Sequence, residues 1–285
     1  MKQKFFDYLV LMRLNKPVGI WLLLWPTLWA LWFAAGGMPP VKVLVIFVLG
    51  TILMRSAGCV VNDLADREFD PHVERTKDRP IAAGRVTPGE AIRLFVVLCL
   101  MAFGLVTQLD TVTVMLSLPA VAIAASYPYA KRFHSLPQAH LGVAFSWGIP
   151  MAFTAIRHDV PWELCLALMA ANICWAIAYD TFYAMVDRED DLKVGVKSSA
   201  ILFGGYDRLL IAVLQAATLL ALAWAGRGLG AAYLAGLAVA AGLAGYQQWL
   251  VRNRDRAACF KAFLNNTWFG AAVFAGLFLA LQQAS

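Results

Sequence analysis

Nine apolar runs dominate the chain, at about 18–36, 41–62, 90–108, 111–127, 138–156, 161–182, 208–226, 229–250 and 262–282. Each has the roughly 17 to 25 residues a helix needs to cross a hydrocarbon core. Polar residues collect between them. The pattern predicts an all-α integral membrane protein with nine transmembrane helices. No linker or low-complexity stretch divides the sequence, so residues 1–285 are expected to form a single transmembrane domain. Only two inter-span stretches are long, 63–89 and 184–207, and both lie on the same face.

Composition supports a bilayer as the solvent. Hydrophobic residues make up 61% and charged residues 15%, where a soluble domain carries about a quarter charged. The placement of positive charge sets the orientation. With the N-terminus in the cytoplasm and the C-terminus outside, the outer segments hold only Lys42, Arg157 and Arg227, and Arg55 lies within a span. Every other Lys and Arg then falls inside. A basic start (Lys2, Lys4, Arg13, Lys16) precedes an apolar stretch from Gly19 to Ala35 that lacks a small-residue cleavage site, which reads as an uncleaved first span. With no transit peptide in view, the expected location is a bacterial cytoplasmic (inner) membrane. The five cysteines form no CxxC pair and are expected to be free. The four histidines read as loop residues, and Asn265 and Asn266 as interfacial polar groups. Trp21, Trp25, Trp29 and Trp32 recur at helical spacing, most simply for packing.

Two acidic clusters end otherwise apolar segments: Asn62-Asp63-Leu64-Ala65-Asp66-Arg67-Glu68-Phe69-Asp70, and Asp180 followed by Asp187-Arg188-Glu189-Asp190-Asp191. Carboxylates at membrane depth are costly and mark functional sites. Asn62, Asp66 and Asp70 at i, i+4, i+8 share one face of a helix, as do Asp180, Asp187 and Asp191 at i, i+7, i+11. Asp63, Glu68, Glu189 and Asp190 read more simply as solvated helix ends or caps. Hard divalent cations are commonly held by one or two carboxylates plus substrate phosphates. Two facing stripes can therefore cradle a metal diphosphate, with basic residues holding its far oxygens: Arg67, Lys77, Arg79, Lys131, Arg132, Lys193 and Lys197. A buried Arg55 needs a partner, either a cluster aspartate or a bound anion. Nothing matches a Walker loop, a dinucleotide fingerprint or a serine elbow, and no nucleic-acid partner is indicated. Each cluster runs on into basic, glycine-containing sequence, so the two halves look like a weak internal repeat in parallel orientation.

The motifs carry a resemblance. Asn62-Asp63-x-x-Asp66-x-x-x-Asp70 with Arg75-Thr76-Lys77-Asp78-Arg79-Pro80, and Tyr179-Asp180-Thr181-x-Tyr183-Ala184-x-x-Asp187-x-x-Asp190-Asp191-x-Lys193, resemble the two motifs of the UbiA superfamily of intramembrane aromatic prenyltransferases. Arg13-Leu14-Asn15-Lys16-Pro17 and Tyr127-Pro128-Tyr129-Ala130-Lys131-Arg132 resemble the branch that prenylates 4-hydroxybenzoate in ubiquinone synthesis. The resemblance spans the whole chain and implies a nine-helix bundle around a central cavity with Mg²⁺ at both motifs. It implies one ion on Asn62, Asp66 and Asp70, a second on Asp187 and Asp191, and Asp180 and Asp63 as supporting ligands. Asp66, Asp70, Asp187, Asp191 and Arg132 would then be catalytic. Arg55, Arg67, Lys77, Arg79, Lys131, Arg132, Tyr183 and Lys193 would bind polyprenyl diphosphate and 4-hydroxybenzoate, with Arg55 or Arg132 on the acceptor carboxylate. Other acceptors (homogentisate, a naphthoate, haem, a lipid alcohol) stay open, as does a cation transporter. Against transport, the only outer acids are Asp110, Asp159 and Glu163.

Overall fold

A computed structural model describes residues 2–73 and 76–284, without the side chains of Lys2, Lys131, Val194 and Ala284. Twelve α-helices account for most of it, and there is no strand among the described residues. They are α1 (Lys2–Leu11), α2 (Val18–Ala35), α3 (Val41–Ala65), α4 (Pro88–Val106), α5 (Thr111–Phe133), α6 (Pro137–Ser146), α7 (Gly148–Arg157), α8 (Trp162–Val194), α9 (Ser199–Phe203), α10 (Asp207–Ala225), α11 (Ala231–Leu250) and α12 (Arg256–Ala284). Among the described residues, nine helical stretches are long and apolar enough to cross a membrane.

Local chemistry explains the boundaries. Thr87 and Glu90 form a capping box at the start of α4, and Asp110 accepts from the Val112 and Thr113 amides at 3.0 Å to begin α5. Gly36 and Gly195 close α2 and α8 in the left-handed conformation. The fifth span is broken into α6 and α7 at Trp147, because Pro150 has no N–H to return to the Ser146 carbonyl.

The sequence misplaces several features. Its sixth span was expected to end near 182, yet α8 runs 33 residues to Val194, carrying the second acidic cluster on continuous helix. The first cluster behaves oppositely: α3 stops at Ala65, and Asp70 opens a single 3₁₀ turn. His140 sits within α6 rather than in a loop. Asn265 and Asn266 are not surface groups either, since Asn266 accepts from Trp175 Nε1 at 2.9 Å and Asn265 from Gln247 Nε2 at 2.9 Å.

The main core lies between α2, α8 and α12, where Trp175 contacts Trp29 and Phe269 with ring centroids 5.3 and 5.5 Å apart. Trp25 and Trp32 meet Phe274, so Trp25, Trp29 and Trp32 pack helices together while Trp21 is exposed, and none of the four lines the cavity. α11 and α12 approach so closely at Gly236 and Gly276 that a Cβ on either would strike backbone. Large apolar side chains such as Leu100, Met101, Met115, Leu220 and Leu234 point outward. That suits a multi-pass membrane protein, whose outer surface faces lipid.

Candidate active site

A cavity of about 950 Å³ is lined by residues at the ends of α3 and α8 and extends to apolar residues of α4, α5 and α7. Its apolar wall includes Ile46, Phe47, Val106, Val121 and Met151. Both acidic motifs meet at its polar end, with Asn62, Asp66 and Asp70 on one side and Asp180, Asp187 and Asp191 on the other. Asp66, Asp70 and Asp187 are buried.

The first motif keeps its convergence without one continuous helix. The Asp66 amide still donates to Asn62 O at 3.0 Å and the Asp70 amide to Asp66 O at 2.8 Å, so the chain goes on turning past α3. Asn62 Nδ2 donates to Asp66 Oδ2 at 3.3 Å. Asp63 is only 1% exposed, which overturns the solvated-end reading. Its carboxylate accepts from Arg13 Nη2 at 2.8 and 2.9 Å and stands 3.1 Å from Arg79 Nη1. The same Arg79 nitrogen lies 2.9 Å from Asp70 Oδ2. Burial pushes the Asp70 carboxyl above its ordinary value; Arg79 opposes this, and Asp66 and Asp63 add to it. Glu68 and Glu189 do face solvent.

Of the cations proposed for substrate, Arg55 and Arg79 line the cavity, as do Lys197 and Tyr183. Arg67, Lys77, Lys193 and Arg132 are exposed and do not. Arg67 pairs with Glu68, and Lys193 stands 3.7 Å from Asp190. Arg132 donates to the Ala65 carbonyl at 2.6 Å with its guanidinium against Phe69 and Tyr129, so it caps α3 instead of reaching the site. The Lys131 side chain and Arg75 lie outside the described residues.

Arg55 is half-buried in the wall with Nη1 donating to Cys59 Sγ at 2.7 Å. No carboxylate of the described residues forms an ion pair with it, and its Nε lacks a hydrogen-bond acceptor. The buried Tyr179 hydroxyl also lacks a partner there. Both face the cavity, with Tyr127 and Tyr183 nearby. Sequence reasoning did not place Arg13, Lys16, Arg256, Tyr127 or Tyr179 in the site. Arg13, Lys16, Tyr127 and Tyr179 stand inside the motifs quoted above, whereas Arg256 carries no local signal, its contacts with Glu189 and Asp190 being long-range.

The donor set at the polar end is all oxygen, which suits a hard divalent cation. Among the described residues no three carboxylate, histidine or cysteine side chains already form a closed metal site. A ligand's oxygens would have to complete the shell, as phosphates commonly do for Mg²⁺.

A family model described as the UbiA prenyltransferase family matches residues 23–280. A Methylococcus capsulatus protein named 4-hydroxybenzoate octaprenyltransferase is 60% identical over 273 residues, covering 95% of this chain and 93% of its own. One of the same name from Nitrosococcus oceani is 58% identical, covering 98% of both. Among solved structures, an apo UbiA homologue from Aeropyrum pernix superposes with a TM-score of 0.80 at 24% identity, covering 92% of this chain and 97% of that one. An Archaeoglobus fulgidus UbiA homologue bound to GPP and Mg²⁺ gives 0.68 at 18%, covering 95% and 99%. At these identities the structures speak for the fold.

Proposed function

The chain belongs to the UbiA prenyltransferase family, and from that premise we propose that it transfers a polyprenyl group from an allylic polyprenyl diphosphate to the carbon ortho to the phenol of 4-hydroxybenzoate. The products are 3-polyprenyl-4-hydroxybenzoate and diphosphate, a step of ubiquinone synthesis. One observation carries the acceptor assignment. Arg55 is a half-buried cation with no carboxylate partner among the described residues, beside an unpartnered Tyr179 hydroxyl, in the same cavity as the two carboxylate walls. The names of the relatives support the same acceptor.

Asn62, Asp66 and Asp70 would hold one divalent ion and Asp187 and Asp191 a second, with Asp180 in support; the Archaeoglobus homologue bound to GPP and Mg²⁺ favours Mg²⁺ as that ion. Bound there, such ions would neutralise charge on the departing diphosphate. Arg79 and Lys197 contribute positive charge at the same end of the cavity. The apolar channel would shelter the tail and exclude water from the allylic cation, with Tyr127, Tyr179 and Tyr183 in the same cavity wall. Arg55 pairs with the acceptor carboxylate and fixes the ring. Asp63 serves the site by holding Arg13 and Arg79 rather than as a direct ligand. With the polar end toward the cytoplasm of a bacterial inner membrane, the soluble acceptor enters from water and the tail from lipid. Residues 1–285 act as one domain in this reading.

An acceptor panel tests it. 4-Hydroxybenzoate should be prenylated well above homogentisate or 1,4-dihydroxy-2-naphthoate, and Arg55→Met should raise the KM for 4-hydroxybenzoate about 10- to 100-fold, the loss expected for a charge-assisted pair. Equal use of all three by wild type, or an unchanged KM in the variant, would sink the acceptor assignment.

A further inference from the structure

The five residues Asp187 to Asp191 near the end of α8 divide between two tasks. At 3.6 residues per turn each step rotates about 100°. Asp187 and Asp191 therefore lie about 40° apart, while Arg188 and Asp190 project about 80° to either flank of that pair and Glu189 points to the back. The cavity takes the first two. Each of the other three is gripped from a neighbouring helix start.

Arg188 Nη1 stands 3.5 Å from Asp207 Oδ2, at the first residue of α10. Glu189 and Asp190 meet Arg256, the first residue of α12, at 2.8 and 3.5 Å. The two arms differ in weight. Glu189 is 76% and Arg256 49% exposed, and pairs in water contribute little. Asp207 is 0% exposed, so its charge must be met. Arg254 meets it with Nη2 at 2.8 Å and Nε at 3.0 Å, and the Arg208 amide donates to it at 2.6 Å. Asp207 is thereby a fixed post, and Arg188, next in sequence to Asp187, is the arm that reaches it.

We propose that Asp207, acting through Arg188, is a positioning residue that sets the rotation of the end of α8 and so aims Asp187 and Asp191 into the cavity. This rests on the reading of those two carboxylates as ligands of a metal diphosphate. A purely structural Asp207 would pin α10 to the turn between α11 and α12 through Arg254 and have no use for Arg188.

The test is Mn²⁺ binding by the full chain in detergent, followed by electron paramagnetic resonance with an uncleavable thio analogue of a prenyl diphosphate present. Each variant's thermal midpoint is also measured without metal. Asp187→Ala should lose tight Mn²⁺ binding. Arg188→Ala should weaken it about tenfold, as loss of a group that orients a ligand does, with a midpoint close to wild type, and Arg188→Lys should recover most of the loss. Arg188→Gln carries the same expectation as the alanine variant and decides the matter if that protein does not fold. Arg254→Ala should lower the midpoint more than it weakens Mn²⁺. Wild-type Mn²⁺ affinity in Arg188→Ala or Arg188→Gln, with binding lost in Asp187→Ala, overturns the positioning role and leaves the metal reading standing. Unchanged binding in Asp187→Ala overturns the metal reading itself.

Discussion

Arg13 Nη2 donates to both oxygens of Asp63, at 2.8 and 2.9 Å, and so ties the segment before the first span to the end of the second. Arg13 adopts a left-handed backbone (φ 58°) just past α1, a conformation that costs a non-glycine residue of order 1 kcal/mol and persists where the surroundings enforce it. The ion pair is that enforcement.

Asp63→Asn should lower unfolding stability by about 2 kcal/mol, less than the roughly 3 to 5 kcal/mol of a fully buried pair because both arginines keep some solvent. It should also raise the KM for prenyl diphosphate, since Arg13 and Arg79 lose their common anchor. Thermal unfolding in detergent together with steady-state kinetics checks both; a stability loss with unchanged KM would make Asp63 structural alone.

Gly19 of α2 lies against the Arg55 guanidinium, and a Cβ there would overlap its Nη2, Nε and Cζ atoms. The struck atoms end a flexible side chain, so Gly19→Ala should displace Arg55 without unfolding the bundle. The expected readout is a KM for 4-hydroxybenzoate raised about tenfold, close to one charge-assisted hydrogen bond, with the KM for prenyl diphosphate unmoved.

Arg132 gives the contrasting result. Because it caps the Ala65 carbonyl, Arg132→Ala should cost about 1 kcal/mol of stability and leave the KM for 4-hydroxybenzoate within about twofold, inside the scatter of context effects. A large KM increase would return Arg132 to the acceptor site.

Asp110 marks a pH dependence away from the site. Burial alone would raise its carboxyl, but hydrogen bonds from the Thr113 hydroxyl and amide and from the Val112 amide hold it below its ordinary value. A depressed folded value means that its stabilisation is complete above the unfolded carboxyl's pKa, about 3.9, and is lost as pH falls through the lowered value. Asp110→Asn keeps a good cap and should flatten the acid limb of stability below about pH 3.9, the unfolded carboxyl's value, as followed by circular dichroism.

Much of this was readable from residues alone, and the failures share a cause. Hydropathy located all nine spans, most of them within a few residues, because bilayer thickness fixes their length. It stopped the sixth span near 182, since charges look like loop when only apolarity is counted, whereas α8 carries Asp187 to Asp191 on helix whose other faces are paired with α10 and α12. Spacing rightly brought Asn62, Asp66 and Asp70 to one cavity, but no local signal showed that the helix ends at Ala65. The basic residues were hardest to sort. Arg79 and Arg132 look alike in sequence, and only long-range contacts send one to the carboxylates and the other to a helix end.

Prenylation of 4-hydroxybenzoate at the paired carboxylates should depend on a divalent metal. Its most direct test is incorporation of radiolabelled 4-hydroxybenzoate into lipid by the purified chain, with a long-chain prenyl diphosphate, in Mg²⁺ and after chelation, for wild type and Asp187→Ala. Label should enter lipid only for wild type with Mg²⁺ and return after chelation when Mg²⁺ is added back. Labelling that survives chelation, or that Asp187→Ala supports at the wild-type rate, would contradict it.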